Sequence, residues 1–176
     1  AGLMCQMLPD NSKILPLAGH LNNTAHNNRL NGFLDTLNQQ NTYNLRIMPF
    51  QPCFDRNDYA HEITQHALRE NPDLVGIYVA SNGQEGVCQA VEEEDRKGKV
   101  KIIAFDLNEP NMRLLQSDSL SIVLDQDAFQ QGYQPPFLLY EYLIQHKMPD
   151  NALLYTDISI RTKYNSDLVV FTDHSK

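Results

Sequence analysis

The sequence predicts an α/β fold, a parallel sheet flanked by helices on both faces. Three observations carry this. Short β-like runs alternate with helical patterns along most of the chain, the order that builds a parallel sheet by right-handed crossovers. The run Leu74-Val75-Gly76-Ile77-Tyr78-Val79-Ala80 is almost continuously apolar, as in a strand covered on both faces. Polar residues follow strand after strand, at the sheet end where open α/β folds bind ligands.

Ile14 to Leu17 is strand-like and leads into a polar loop, Gly19 to Asn28. Leu30, Phe33, Leu34 and Leu37 then recur at helical spacing and make one apolar face. Tyr43 to Met48 reads as the second strand, followed by a loop with Pro49, Pro52 and Asp55. Tyr59, Ile63, Ala67 and Leu68 mark the next helix, which stops before Asn71-Pro72. Leu74 to Ala80 is the third strand. Asn82 is placed to cap a helix that runs to about Lys97 and closes at Gly98.

Lys101 to Phe105 is the fourth strand and ends in Asp106. A short helix carries Met112, Leu114 and Leu115, and Ser121 to Leu124 is the fifth strand. Beyond Gln126, the residues Phe129, Tyr133, Phe137, Leu139, Tyr140 and Leu143 have a helical pattern. Pro135-Pro136 predicts a break there, with a fresh helix starting near Pro135, because proline lacks the backbone donor. Leu153 to Ile160 reads as a last strand, and the tail from Thr172 as loose.

The chain has 176 residues with 41% hydrophobic, enough for one domain with a core. No apolar run approaches the roughly 20 residues of a membrane span. Ala1 to Leu8 lacks the basic start of a signal peptide. The first apolar segment starts at once, which points to a chain cut from something longer. Net charge is −8 and the 14 basic residues are scattered, so this chain has no basic stripe for phosphates. Glu92, Glu93, Glu94 and Asp95 precede Arg96, Lys97, Lys99 and Lys101, a solvated helix end that suits the helix dipole. Cys5, Cys53 and Cys88 form neither a disulfide framework nor a zinc pattern. Cys5 and Cys88 read as small core residues, and a reducing, cytoplasmic compartment fits them.

No motif points to catalysis. His61 and His66 are five apart, where a zinc-protease helix needs four to bring both rings to one face. His20 and His26 read as ordinary residues of an Asn-rich loop. Asn22-Asn23-Thr24 fits a glycosylation acceptor with nothing else to support that reading. Gly-x-Ser-x-Gly, phosphate-loop and dinucleotide-loop spacings are missing. No second titratable group is tied by spacing to Asp106. The expectation is a binding protein, not an enzyme, with no cofactor and no metal. The residues that follow strands are the Gly19 to Arg29 loop, the Pro49 to Asp55 loop, Ser81, Asn82, Asp106 and Gln126. They are polar with one prominent aromatic, Phe54. Sugar hydroxyls need paired donors and acceptors, and an aromatic face covers the C–H side of the ring.

Several segments also carry a resemblance. Leu17-Ala18-Gly19 is followed by Asn28-Arg29-Leu30-Asn31-Gly32-Phe33. Pro72-Asp73-Leu74 leads into Ile77-Tyr78-Val79-Ala80-Ser81-Asn82. Ile102-Ile103-Ala104-Phe105-Asp106 precedes Ile122-Val123-Leu124-Asp125-Gln126-Asp127 and Gln131-Gly132-Tyr133. In this order they resemble the second half of the type-1 periplasmic-binding-protein fold, shared by sugar-binding transport proteins and LacI-type repressors. The resemblance runs from Ala1 to about Asn165. It implies Arg29 as the cationic donor to sugar oxygens, Phe54 as the stacking aromatic, Asp106 as acceptor from paired hydroxyls, and Gln126 near the hinge. Ser81 and Asn82 share the position where that family often has Asn-Asp, a departure. Pro135-Pro136 is another.

Tyr155 to Asn165 and the Gln126-Asp127 pair resemble LacI-type regulators more than transport proteins. The resemblance therefore implies first the sugar-binding domain of such a regulator. Residues 1–176 would be its C-terminal lobe, with 127–150 crossing toward a missing first lobe. It would be cytoplasmic and homodimeric, away from membranes, with effector-driven lobe closure that alters DNA affinity. It would meet DNA only through an N-terminal helix-turn-helix outside this chain. The alternatives are a periplasmic sugar-binding protein of an ABC transporter and a small α/β enzyme.

Overall fold

The computed structural model describes residues 1–20, 22–40 and 44–166. Leu21, the start of the expected second strand at Tyr43, and the tail from Thr172 lie outside the described residues. The strands are β1 (Lys13–Ala18), β2 (Arg46–Ile47), β3 (Gln51–Pro52), β4 (Leu74–Val79), β5 (Lys101–Phe105), β6 (Ile122–Asp125) and β7 (Ser159–Arg161). They form one sheet in the order β2-β1-β4-β5-β6-β7, with β3 also paired to β1. β1 to β6 are parallel. β7 alone runs antiparallel, beside β6. The helices are α1 (Gly2–Met7), α2 (Thr24–Gln40), α3 (Asn57–Glu70), α4 (Gln84–Glu93), α5 (Glu109–Gln116) and α6 (Ala128–Gln145).

Side chains alternate across a strand, and that alternation builds two cores. Leu15, Leu17, Ile77, Val79, Ile102 and Ala104 point to one face, under Ala67 and Leu68 of α3, Val87 and Val91 of α4, and Leu115 of α5. Ile14, Tyr78, Ala80, Ile103 and Phe105 point to the other, under Met4 and Cys5 of α1 and Leu30, Phe33 and Leu37 of α2. The helices therefore cover both faces, as the apolar run of β4 requires. Phe33 stacks on Tyr78 with ring centroids 3.9 Å apart. Cys5 and Cys88 are buried as expected, and so is Cys53.

Four elements differ from the sequence expectation. The second strand is split: Arg46–Ile47 pairs with the first half of β1 and Gln51–Pro52 with the second. Pro49 and Pro52 carry no backbone donor, which only an edge position tolerates. α4 starts at Gln84 after a left-handed Gly83 (φ 113°), with no side-chain cap. Asn82 does not cap it, because the cap position falls one residue later, at Gly83; the Asn82 N–H donates to Asp55 Oδ1 at 3.0 Å. That helix ends at Glu93 rather than Lys97. Asp95 turns left-handed there, and Arg96 donates instead to the carbonyls of Pro72 and Leu74.

The last strand spans only Ser159–Arg161, where Arg161 meets Asp125 at 3.3 Å. Most of the segment before it is exposed. α6 runs unbroken through Pro135 and Pro136. The carbonyls robbed of donors belong to Gln131 and Gly132, both on exposed residues, where water supplies the missing bonds. Among its described residues α6 buries none. Among the described residues no helix is long and apolar enough to cross a membrane.

Candidate functional site

The parallel strands leave their last residues at one end of the sheet, and the polar residues gather there. Arg29 opens toward it from the first turns of α2. Its backbone carbonyl accepts from the Tyr78 hydroxyl at 3.1 Å. Burial pushes the Tyr78 phenol well above its ordinary pKa, so it stays protonated and keeps donating. The Arg29 guanidinium donates to the Ala80 carbonyl at 3.2 Å and to Asp106 Oδ1 at 3.4 Å. It also lies 4.2 Å from the Phe105 ring centroid. Packed against the ring and bonded on two sides, it has its direction set before a ligand arrives.

Asp106 follows β5 in a left-handed conformation, φ 67°. Hydrogen bonds to the backbone of Asp106 and Phe105 hold it there. Its N–H donates to the Leu124 carbonyl at 3.0 Å. The buried Asn111 amide donates to the carbonyls of Asp106 at 2.8 Å and Phe105 at 3.1 Å. The carboxylate is thereby presented outward and half exposed. Gln126 donates its amide to Asp106 Oδ1 at 2.5 Å. The Gln126 carbonyl is held in turn by Thr156 Oγ1 at 2.9 Å and Gln131 Nε2 at 2.8 Å. Asp127, also left-handed, accepts from the Gln130 N–H and starts α6.

Phe54 stands further along the same end, after β3. Phe54 and Asp55 are both left-handed, with φ of 54° and 59°. Non-glycine residues at positive φ cost energy and gather where the surroundings impose them. Here the imposing contacts are the Cys53 N–H to the Ala18 carbonyl at 2.7 Å, and the Asp55 carboxylate under the Asn82 N–H. The result is a Phe54 ring 41% exposed, edge-on to His20 and Tyr59 at 5.3 and 5.7 Å. Gly19 makes room, since a Cβ there would stand 2.5 Å from Asp55 Oδ2 and 2.6 Å from His26 Nδ1.

The structure thus brings Arg29, Asp106 and Gln126 into one hydrogen-bonded cluster, with Asn82 and Phe54 on the same sheet end. Ser81 it places differently. That side chain is 3% exposed, and its hydroxyl donates to the Asn82 carbonyl and lies 3.4 Å from Cys53 Sγ. It forms the floor under the site. Burial pushes the Cys53 thiol up as well. The roles of Asp55 and Asn111 do not follow from the sequence. For Asp55 the available signal is an Asp just after a Pro-Cys-Phe run. Asn111 carries no signal that sets it apart from any other polar residue of a short helix.

A cavity of about 460 Å³ lies elsewhere, lined by Leu15, Met48, Ile63 and Ala67 with Glu62 and His66 at its rim. It shares no residue with the polar cluster. Among the described residues, no group of three His, Cys, Asp or Glu side chains stands where a metal ion could be held.

Residues 1–147 match the family model of the periplasmic binding protein domain, and the chain belongs to that family. Among solved structures, a sugar-binding protein of a sugar ABC transporter from Bacillus halodurans is 23% identical, with a TM-score of 0.84 over 94% of this chain and 60% of that one. An ABC transporter solute-binding protein from Agrobacterium vitis, with bound D-fucose, is 22% identical, with a TM-score of 0.83 over 96% and 57%. A periplasmic ribose ABC transporter protein from Conexibacter woesei is 18% identical, with a TM-score of 0.83 over 94% and 55%. These likenesses establish the α/β lobe, and the chain spans 55–60% of the length of the three relatives. No curated protein matches the chain.

Proposed function

We propose that this chain is the second lobe of a sugar-binding protein serving an ABC transporter. The observation that carries the reading is the Arg29–Asp106–Gln126 cluster at the carboxyl ends of parallel strands. A carboxylate accepts from two neighbouring hydroxyls, while the guanidinium and amide donate to their oxygens. Phe54 supplies an apolar surface for the C–H face. The relatives with bound ligand support a sugar, D-fucose in one and D-allose in another.

The LacI-type reading put first by the sequence has weaker support. It rested on Tyr155 to Asn165 and on Gln126-Asp127. In the fold these residues make a short edge strand and a helix cap, roles that serve a transport protein equally well. The solved relatives named above are transport components, and this reverses the order. Helix-turn-helix, DNA affinity, homodimer and cytoplasm go with the regulator. A periplasmic or cell-surface setting goes with the transport protein. In either case the 127–150 segment would cross to the first lobe, and the exposed Phe129, Tyr133 and Phe137 of α6 would find their cover there.

Titration calorimetry of the full-length protein against a panel of aldoses and ketoses tests the binding. Saturable binding of one or a few sugars supports the reading. Saturable sugar binding in a protein that also shifts an operator fragment would restore the regulator.

A further inference from the structure

We propose that His26 is a positioning residue of the sugar site, which acts through Asp55 to hold the loop that carries Phe54, and that it holds it best when protonated. The inference rests on the sugar-binding reading above and adds a pH-dependent support beneath it. His26 lies in the first turn of α2, where Asn23 Oδ1 accepts the N–H groups of Ala25 and His26 at 2.9 and 3.3 Å. That turn fixes its backbone and carries the ring inward, leaving the side chain only 12% exposed. Nε2 stands 3.8 Å from Asp55 Oδ1 and 3.4 Å from Asn23 Nδ2. Nδ1 is buried and, among the described residues, has no hydrogen-bond partner. A Cβ on Gly19 would collide with Asp55 Oδ2 and His26 Nδ1 alike, so the second carboxylate oxygen and the unpartnered nitrogen border the same small space. A neutral imidazole donates from one nitrogen only, and a carboxylate has no proton to offer the other. An imidazolium donates from both and carries the opposite charge. The pair is matched in the protonated form.

Asp55 passes that hold on. Its Oδ1 accepts the Asn82 N–H, which ties the end of β4 to the loop after β3. Asp55 and its neighbour Phe54 are both left-handed, a conformation that persists where contacts impose it. A stronger grip on the Asp55 carboxylate therefore steadies the backbone under the Phe54 ring. A steady aromatic surface loses less entropy when a sugar settles on it. The other charged and titratable groups near the pair are engaged elsewhere. Arg29, one turn along α2, is turned to Asp106 and the Ala80 carbonyl. Arg56, next to Asp55, is paired with Asp58, and His20 meets the Phe54 ring edge-on.

The test is calorimetry of the full-length protein with the panel of aldoses and ketoses above, D-fucose and D-allose among them, repeated across pH. The affinity for the tightest-binding sugar is expected to fall roughly three- to tenfold as the pH rises from about 5.5 to about 8, the range in which histidine loses its proton. His26→Gln keeps a donor but cannot charge, so it should bind at every pH as weakly as the wild type does at the alkaline end. Asp55→Asn should flatten the profile too, and His20→Gln should keep its slope. A side chain that only filled space would give no slope for His26→Gln to remove. A wild-type affinity that does not change with pH overturns the role of His26 and leaves the sugar-binding reading intact. So does a slope that persists in His26→Gln or vanishes in His20→Gln. Failure of every sugar to bind at any pH overturns both.

Discussion

Arg29 and Asp106, 77 residues apart in sequence, meet at 3.4 Å across the carboxyl end of the sheet. The contact is worth little to stability, because the Asp106 side chain is half exposed and water screens it. Its consequence is directional. Arg29 is steered by Phe105 and the Ala80 carbonyl, Asp106 by Asn111 and Leu124. Two opposite charges are thereby held side by side at the sheet end, each fixed by contacts of its own.

Close packing of α3 on α4 makes one glycine indispensable and leaves another free. A Cβ on Gly86 would fall 1.9 Å from the Asn57 carbonyl oxygen, whereas one on Gly32 meets nothing within 4 Å. Gly86→Ala is expected to cost about 1–3 kcal/mol or more. Gly32→Ala, in the interior of α2, should gain about 0.5–1 kcal/mol. Urea unfolding midpoints of the two variants should move in opposite directions.

The three thiols should resist alkylation in the folded protein at neutral pH. All are buried, and burial pushes Cys88 up to about 12 and Cys53 upward as well. The thiolate is the reacting species, and a raised pKa leaves very little of it at pH 7. Mass spectrometry after iodoacetamide should find Cys53 and Cys88 unmodified without denaturant and modified in urea. Fast labelling of Cys53 in the native protein would mean that the floor of the site opens.

α6 leaves Phe129, Tyr133, Phe137, Leu139, Tyr140 and Leu143 about half exposed on one helix. An apolar surface of this extent draws a partner. The 176 residues expressed by themselves should self-associate, and Phe137→Glu with Leu143→Glu should return a monomer. Sedimentation velocity distinguishes the outcomes. A parent chain that stays monomeric across the concentration range would show that exposure alone does not drive pairing.

Much of the fold was legible in the sequence because β4, β5 and β6 are apolar runs of strand length and α2 and α3 show a clean helical stripe. For the candidate site, one rule, polar residues after strands, points to Arg29, Asn82, Asp106 and Gln126, which the fold gathers at one sheet end. Ser81 follows a strand too, yet its side chain turns inward, as a residue after a strand can do as easily as turn out. Asp55 and Asn111 were beyond reach for a shared reason. Asp55 binds a backbone group 27 residues away, and Asn111 clamps the strand end before its own helix. Neither contact leaves a periodic trace. The Pro135-Pro136 break failed because the rule assumes the orphaned carbonyls have no other partner, and on an exposed helix water reaches them.

The most direct test of the account is the affinity of Asp106→Ala for whichever sugar the full-length wild-type protein binds. Hydrogen bonds to a charged group contribute about 1.5–3 kcal/mol each, so removing this carboxylate should weaken binding roughly tenfold or more. Arg29→Ala should fall in the same range. The two losses should be less than additive, because the groups contact one another. Unchanged affinity in the double variant Asp106→Ala/Arg29→Ala, with its thermal unfolding intact, would show that sugar is held elsewhere and would contradict the account.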